Sequence, residues 1–227
     1  MNRRKQISSV KQRARSLRDE AYRAAIIEAA EPLFGAHGTD GTKMEDIARD
    51  AGLAVTTVYS AFRQGKAEIV ESVHARRLGE LVRSVEQHAS SDGPALDRLA
   101  DNCRWSVAFL IEHEDYLRFH LRAGHAWFME DAIADRIRGG AALWAVGVGA
   151  VIEMVEQGIA NGELQIDNAR RAGKSVVMLQ QLHLAEWIAD QTRPGSDEVF
   201  ESFWSDAVLL LRPRETSGRI ARSRTEP

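Results

Sequence analysis

Side chains that can hydrogen-bond to nucleic-acid bases are concentrated between residues 55 and 63. A Thr or Ser hydroxyl can bond a base edge or a phosphate, and a Val or Thr methyl can contact the methyl group of thymine. Val58 and Phe62 lie four residues apart, so on a helix both would face inward. The remaining side chains of this segment would be more or less free of core contacts, and they are Val55, Thr56, Thr57, Tyr59, Ser60 and Arg63.

The preceding segment supplies the other parts of a helix-turn-helix. Thr42-Lys43-Met44-Glu45 matches the T-x-x-E capping box that opens a helix, and Gly52 breaks that helix after about two and a half turns. Two short helices around a glycine-containing turn form a helix-turn-helix, whose second helix enters the major groove. The motif spans about residues 43–62, and an ordinary helix pair around Gly52 is the alternative. Thr42 and Lys43 are additional candidates for phosphate contacts at a helix N-terminus.

Basic residues are concentrated at the N-terminus. The first 23 residues carry eight Arg or Lys and two Asp or Glu, a net charge of +6, so the remainder carries −9 of the total of −3. A basic arm on an acidic body indicates a polyanion partner at that end of the molecule. A solvated tail that contributes only solubility is the alternative.

Apolar periodicity predicts helices almost everywhere, and no alternating strand pattern is present, so the predicted fold class is all-α. The stripe Ile26, Ala29, Ala30, Leu33 and Phe34 forms one face of a helix that His37-Gly38 closes. Further helices are predicted over about 66–88, 96–112, 115–122, 129–159 and 167–190, with a last helix over about 200–211.

These elements predict two domains and two terminal segments. Residues 1–16 form a basic arm, residues 17–68 a three-helix DNA-binding domain, and residues 69–212 a larger helical domain for effector binding and dimerisation. Residues 213–227, rich in Arg, Ser, Thr, Glu and Pro, are predicted to be disordered.

Several classes of protein are disfavoured. The longest uncharged run, residues 139–152, has fourteen residues, whereas a bilayer-spanning helix needs about 20. Cys103 is the only cysteine, so an internal disulfide is excluded. The basic N-terminus is not followed by an apolar secretory core, and together these features favour a cytoplasmic location. We expect its thiol to be buried, with activation by Arg104 as the alternative.

The motifs of serine hydrolases, zinc proteases and P-loop proteins are absent, so we expect no enzymatic activity and no cofactor. Gly147-Val-Gly149 lacks the third glycine of a nucleotide-binding motif and indicates close helix packing instead. His113, His120 and His125 cluster in sequence, but spacings of seven and five do not place all three on one helix face. We therefore expect pocket-lining histidines and no metal, and a metal site is the alternative.

The chain resembles the TetR family of transcriptional regulators. The resemblance lies in Arg23-Ala-Ala-Ile-Ile-Glu-Ala-Ala-Glu-Pro-Leu-Phe34, Gly38, Thr42, Asp46-Ile47-Ala48-Arg49-Asp50-Ala51-Gly52-Leu53, Thr57-Val58-Tyr59-Ser60-Ala61-Phe62 and Lys66. It covers about residues 20–70 and implies a homodimer with an N-terminal DNA-binding domain. A larger helical domain then binds a small effector and forms the dimer. Tyr59 matches the family's tyrosine that contacts the DNA backbone.

Three positions depart from the family pattern. Ala54 replaces the Ser that caps the recognition helix, which removes one side-chain acceptor. Thr56 replaces the Gly before the Thr-hydrophobe-Tyr signature. Lys66 follows Phe62 by four residues instead of three, so either Lys66 or Arg63 takes the family's phosphate-contact role, and Gly65 can absorb the extra residue in a turn.

Aromatic and histidine side chains in the second domain predict a pocket for an apolar or aromatic ligand. The expected lining residues are Trp105, Phe109, His113, Tyr116, Phe119, His120, Trp144 and Met178. Apolar faces on the last two helices predict a four-helix dimer interface. Its expected residues are Trp187, Phe200, Trp204 and Val208.

The predicted function is that of a repressor that binds double-stranded operator DNA as a homodimer and is released by a small apolar or aromatic effector. One alternative is a helix-turn-helix protein whose second domain binds a protein or only dimerises. A less favoured alternative is a helical enzyme that uses His and Asp or Glu residues.

Overall fold

The computed structural model describes the backbone of residues 2–88, 92–122 and 140–211, and the side chains of residues 12–87, 92–122 and 147–211. Within these ranges the chain forms α-helices and no strand, which confirms the all-α prediction. The helices are α1 (Asn2–Gly41), α2 (Met44–Asp50), α3 (Val55–Ala61), α4 (Lys66–His88), α5 (Ala95–Glu112), α6 (Glu114–Arg122), α7 (Gly140–Ala160), α8 (Ala169–Ala189) and α9 (Ser196–Leu211).

Helix α1 carries the predicted apolar stripe. Ile26, Ala30 and Phe34 are fully buried against the other helices of the N-terminal domain. Gly38, with φ 71° and ψ 172°, interrupts the helix where the sequence predicts its end. Because α1 begins at Asn2, the backbone of the predicted arm is helical from that residue onward.

Helices α2 and α3 form the predicted helix-turn-helix. Gly52 adopts φ 67°, a left-handed conformation that suits glycine, and lets the chain reverse between the two helices. Ile47 and Val58 are fully buried and pack with Phe62, which caps the end of α3. This packing fixes which face of α3 is left outside.

The predicted capping box at Thr42 is wrong. The N-cap of α2 is Lys43, and no side chain caps this helix. The Thr42 side chain is only 1% exposed, and its hydroxyl points back to α1, at 2.8 Å from the Gly38 carbonyl and 3.1 Å from that of Leu33. The hydroxyl therefore satisfies carbonyls freed by the interruption of α1, a partner set that spacing along the chain does not show.

Helix α4 joins the N-terminal domain to the rest of the protein. Arg77 donates to both carboxylate oxygens of Glu31 on α1, at 2.7 and 2.6 Å, and to Glu80 at 2.7 Å. Only 7% of the Glu31 side chain and 15% of the Arg77 side chain are exposed. A buried bidentate pair holds two planar groups in one orientation, so it fixes the angle between α1 and α4.

The second domain packs α4, α5, α7, α8 and α9 into a helical bundle. The described bounds of these helices lie within two residues of the predicted ones, except that α9 begins earlier, at Ser196. Residues 129–139 of the predicted long helix lie outside the described residues. Cys103 is buried in the bundle, as predicted, and burial raises the pKa of its thiol to about 12. A thiol with such a pKa is protonated at neutral pH and is unsuited to nucleophilic chemistry.

The predicted close packing at Gly147 and Gly149 is wrong. A Cβ built on either glycine would meet no described atom within 4 Å. The close approach is instead at Gly173, where a Cβ would lie 2.8 Å from Ile152 Cγ1, so α7 and α8 touch there. Over the described ranges, no helix is long and apolar enough to span a bilayer.

We predict that Glu31→Ala destabilises the protein by about 3 kcal/mol, because it leaves the Arg77 guanidinium buried without its main partner. Urea unfolding followed by circular dichroism measures this change. The matched control is Glu28→Ala, an exposed change on the same helix, which should stay within about 0.5 kcal/mol of wild type. Equal effects of the two variants would contradict the role of the pair.

Candidate DNA interface and effector cavity

The outer face of α3 displays the predicted polar side chains. Thr56 and Ser60 are exposed, and half of the Tyr59 side chain is exposed. Val55 and Thr57 are half-buried. These residues form one surface because Val58 anchors the opposite face in the core.

The first turn of α3 lacks a side-chain cap. Ala54 is its N-cap and offers no hydrogen bond, as its place in the sequence predicts. The Ser60 hydroxyl donates to the Thr56 carbonyl at 2.8 Å. Its oxygen keeps lone pairs for an external donor, but its proton is used within the helix.

Gly65 absorbs the extra residue after α3, as predicted. It adopts φ 70°, and α4 begins at the next residue. Lys66 is half-buried and donates through Nζ to the Thr42 carbonyl at 3.0 Å. Arg63 and Lys43 are exposed, so the structure presents three basic groups near this face, of which Lys66 already has a protein partner.

Thr42 does not present its side chain to a ligand. Its burial and its two carbonyl partners remove the hydroxyl from the surface. The prediction of a side-chain contact from Thr42 to phosphate is therefore corrected, whereas its carbonyl serves to position Lys66.

Arg23 has a positioning role that the sequence analysis missed. From α1, its Nη1 donates to the Ala61 carbonyl at the end of α3 and to Glu68 Oε1 of α4 at 2.9 Å. Its guanidinium carbon also lies 4.0 Å from the centroid of the Phe62 ring. A backbone hydrogen bond from Gln64, together with Arg23, lowers the pKa of Glu68 and keeps it ionised. In the sequence, Arg23 is one charge of the basic segment and the first residue of the family motif, and neither feature indicates these contacts.

Helix α6 packs directly on α1. A Cβ on Gly35 would lie 2.6 Å from the Asp115 carbonyl oxygen, so only glycine permits this approach. Phe34 and Phe119 lie 5.2 Å apart between ring centroids, and His74 of α4 stacks on Phe119 at 4.4 Å. Three helices from both domains therefore meet in one core.

His74 lies half-buried in this junction, and no charged side chain among the described residues pairs with it. Its Nδ1 lies 3.3 Å from the Tyr116 hydroxyl, and its ring also meets the edge of His120 at 6.3 Å. Burial lowers the pKa of His74 to about 4. The imidazole is therefore neutral at physiological pH.

A cavity of about 180 Å³ lies between α4, α5, α7 and α8. Its lining is mostly apolar, and α4 contributes residues spaced at helical intervals along one face. The apolar lining residues include Leu78, Leu81, Val82, Val85, Leu110, Val148, Val151 and Val177. The polar lining residues are Glu86, Asn102, Ser106 and Gln180.

None of the predicted pocket residues whose side chains are described lines this cavity. Tyr116, Phe119 and His120 are buried in the junction of α1, α4 and α6. Phe109 is buried and stacks on His113 at 4.2 Å, while His113 Nδ1 lies 2.8 Å from the Phe109 carbonyl. Trp105 and Met178 are half-buried, and the side chain of Trp144 lies outside the described residues. The aromatic side chains serve mainly as core because apolar rings fill space between helices.

The histidine cluster does not form a three-ligand site in the part of the chain that can be assessed. Among the described residues, no group of three His, Cys, Asp or Glu side chains could hold a metal ion. His125 lies outside those residues.

The predicted dimer residues divide into two pairs. Trp187 and Phe200 belong to the core of one chain, because they are 7% and 2% exposed, and their prediction as interface residues is corrected. Trp204 and Val208 are half-buried. The apolar side chains exposed on these two helices are Leu182 (53%), Leu209 (64%) and Leu210 (52%).

Comparison with known proteins agrees with this geometry. Residues 26–73 match the family model described as bacterial regulatory proteins of the tetR family. Residues 26–73 form a TetR-family domain. This stretch covers α2, α3 and the parts of α1 and α4 that hold them, which is where the resemblance places the DNA-binding domain. No curated protein matches the sequence.

Solved structures share the fold over most of the chain. A putative tetR family transcription regulator from Shewanella sp. PV-4 is 19% identical, with a TM-score of 0.69 over 85% of this chain and 99% of that one. FadR from Bacillus subtilis, solved with stearoyl-CoA, is 17% identical, with a TM-score of 0.65 over 83% and 97%. AibR, solved with isovaleryl coenzyme A and operator DNA, is 16% identical, with a TM-score of 0.64 over 85% and 99%.

We predict that acidification destabilises the protein through His74. The unfolded residue binds a proton near its ordinary pKa of 6.5, and the folded residue only near 4. The stabilising contribution is therefore present above pH 6.5 and is lost as the pH falls towards 4. Between pH 7.5 and 5.5, the loss amounts to about 1 kcal/mol.

Urea unfolding of wild type and His74→Phe at both pH values measures this contribution. The Phe variant keeps a flat ring against Phe119 and removes the titrating group, so its stability should change less with pH. His37→Asn, an exposed substitution on α1, is the control and should follow wild type. The same pH profile in all three proteins would refute the role of His74.

Proposed function

We propose that this protein is a homodimeric transcriptional repressor that releases its operator when a small apolar ligand enters the cavity between α4, α5, α7 and α8. The supporting observation is that α4 belongs to both sites. Its first turn carries Glu68, which bonds Arg23 beside the end of α3. Further along the same helix, Leu78, Leu81 and Val82 line the cavity.

In this proposal α3 is the recognition helix and enters the major groove. Thr57 and the half-buried Val55 lie near its N-terminus, the part that contacts base edges in such helices. Tyr59, Arg63 and Lys43 are proposed to contact phosphates, because all three are exposed. Thr56, Ser60, Lys66 and the basic arm extend the same surface, and their charges supply the salt-dependent attraction to the backbone.

The cavity supports a ligand-responsive mechanism. FadR and AibR were solved with acyl-CoA molecules, which combine an apolar chain with a polar group, and the cavity of this chain is likewise mostly apolar. A ligand releases DNA only if it binds the non-binding conformation more tightly than the DNA-binding one. Because α4 lines the cavity, a ligand that changes the position of α4 changes the position of α3.

The dimer is proposed to form through exposed apolar side chains of α8 and α9. His183 of α8 meets Asp206 of α9 at 3.2 Å, so the two helices share a seam within one chain. Leu182 lies beside this seam on α8 and Leu209 lies on the adjoining turn of α9. Burial of such a patch against a second copy removes it from water, and Trp204 and Val208 extend it.

We predict that Arg63→Ala and Lys43→Ala weaken binding to all duplexes alike and lower the slope of log affinity against log salt by about 1 per phosphate contact. Thr57→Ala instead should change the preferred base at one position, by about 1–3 kcal/mol. Fluorescence anisotropy over a salt series, with a panel of duplexes, separates these effects. Arg171→Ala removes an exposed charge from the far domain and should leave the slope unchanged. A slope that Arg63→Ala does not alter would exclude the proposed contact.

We predict that Gly147→Leu blocks effector binding without loss of the fold. Gly147 lines the cavity, and a Cβ at this position would meet open space, so a leucine side chain would fill the cavity. Gly149→Leu is the matched control, because Gly149 has similar space on the same helix but does not line the cavity. Thermal shifts and operator release with an apolar ligand should be lost only in Gly147→Leu. Equal responses of the two variants would place the effector elsewhere.

We predict that Leu182→Glu shifts the protein from dimer to monomer, because an interfacial charge would be desolvated without a partner. Sedimentation velocity at micromolar concentration measures the change. Leu17→Glu is the control: it places the same charge at a leucine that is 62% exposed on α1, and it should remain dimeric. A Leu182→Glu dimer would move the interface away from α8.

A further inference from the structure

We infer that the cavity between α4, α5, α7 and α8 selects an amphiphile whose polar end donates hydrogen bonds and is neutral or cationic, in preference to a carboxylate. The inference rests on the proposed effector function and names the ligand class for that same site. Three observations support it: the acid at the edge of the cavity, the hydrogen-bonding state of its amide, and the pairing of the nearby arginines.

The acidic group lies at the end of the cavity remote from the DNA-binding domain. Glu86 is the last cavity-lining residue of α4, and Asn102 is the first one of α5. Six residues connect these helices, so the end of α4 and the start of α5 lie close together. The apolar residues Leu78 and Leu110 line the cavity nearer the DNA-binding domain. An elongated ligand therefore meets apolar side chains towards the DNA-binding domain and the Glu86 carboxylate at the other end.

The buried amide of Gln180 presents an acceptor to the cavity. Its Nε2 donates to Ser106 Oγ at 2.5 Å and to the Cys103 carbonyl at 3.3 Å. Because a carbonyl only accepts, the amide atom that faces Cys103 must be the nitrogen. Ser106 also donates to the same carbonyl, at 3.0 Å, so its proton is used as well. The remaining amide atom, Oε1, can accept a hydrogen bond from a ligand.

None of the arginines of α4 is among the described residues that line the cavity. Arg77 binds Glu31 and Glu80, and Arg76 also binds Glu80. The guanidinium of Arg83 lies back along the helix, with Nη1 3.4 Å from the Cβ position of Gly79.

The arginines of α5 are engaged in the same manner. Arg98 donates to Gln157 at 2.5 Å, and Arg104 binds Asp197 and Glu201 of α9 at 2.9 and 2.8 Å. Arg104 would have to give up existing partners to pair with an anionic ligand, and neither arginine is among the described residues that line the cavity.

The charge balance follows from these contacts. A ligand carboxylate placed beside Glu86 would meet a like charge, and the described lining residues include no arginine or lysine that would offset its desolvation. An ammonium group would instead pair with Glu86, and a hydroxyl would satisfy the Gln180 oxygen without the cost of a buried charge.

The test compares octylamine, octanol and octanoate, three probes with the same chain length, on the purified full chain at pH 7.5. Isothermal titration calorimetry gives the three dissociation constants. We expect octylamine to bind at least tenfold more tightly than octanoate, with octanol between them. In Glu86→Gln, the affinity for octylamine should fall about fivefold, whereas that for octanol should stay the same. Glu71→Gln, an exposed change on α4 that does not line the cavity, should behave as wild type.

The possible outcomes test the inferred ligand class and the proposed effector function separately. Octanoate binding as tightly as octylamine would overturn the inferred class, while release of DNA by octanoate would leave the effector function intact. An octylamine preference that survives in Glu86→Gln would also overturn the inference. If none of the three probes binds wild type, the inferred class and the effector function of this cavity both fail.

Discussion

The guanidinium of Arg23 is the contact on which the DNA-binding surface depends. It reaches from α1 to the carbonyl end of α3, the Phe62 ring and the Glu68 carboxylate of α4. A helix of seven residues has little intrinsic stability, so α3 keeps its position only through such tertiary contacts. Its N-terminus has no side-chain cap, which makes the bond at its C-terminal end more important. The side chains of α3 are therefore oriented by a residue that itself lies on another helix.

The same arrangement makes the position of α3 depend on the second domain. Helix α4 is held to α1 by Glu68 with Arg23 and by Arg77 with Glu31, and α6 approaches α1 closely at Gly35. The DNA-binding domain thus has few ways to move without α4 and α6. A change in the cavity that displaces α4 acts on this unit, and the stacked rings of His74 and Phe119 would have to shift with it. The coupling is local packing between three helices.

The sequence predicted local features such as apolar stripes and turns. It did not predict contacts between residues that are far apart along the chain. The stripe of Ile26, the turn at Gly52 and the extra residue absorbed at Gly65 are local features, and each was confirmed. Thr42 matched a capping pattern, but carbonyls of α1 that are freed at Gly38 compete for its hydroxyl. The predicted pocket residues that are described do not line the cavity between α4, α5, α7 and α8, because an aromatic side chain on a helix has the same periodicity whether it fills the core or lines a cavity. Arg23 bonds Ala61, which lies 38 positions further along the chain, and Glu68, which lies 45 positions further. No local sequence pattern indicates contacts at such separations.

The central claim is that the chain reads DNA sequence through an α3 surface positioned by Arg23. Its most direct test is the sequencing of duplexes that the purified protein retains from a fully randomised pool, with wild type and Arg23→Gln compared at equal helix content. The account predicts that wild type enriches one sequence with two related half-sites, whereas Arg23→Gln enriches the same sequence weakly or not at all. A wild-type pool as random as the input would contradict the claim of sequence recognition. Equal enrichment by both proteins would contradict the role of Arg23.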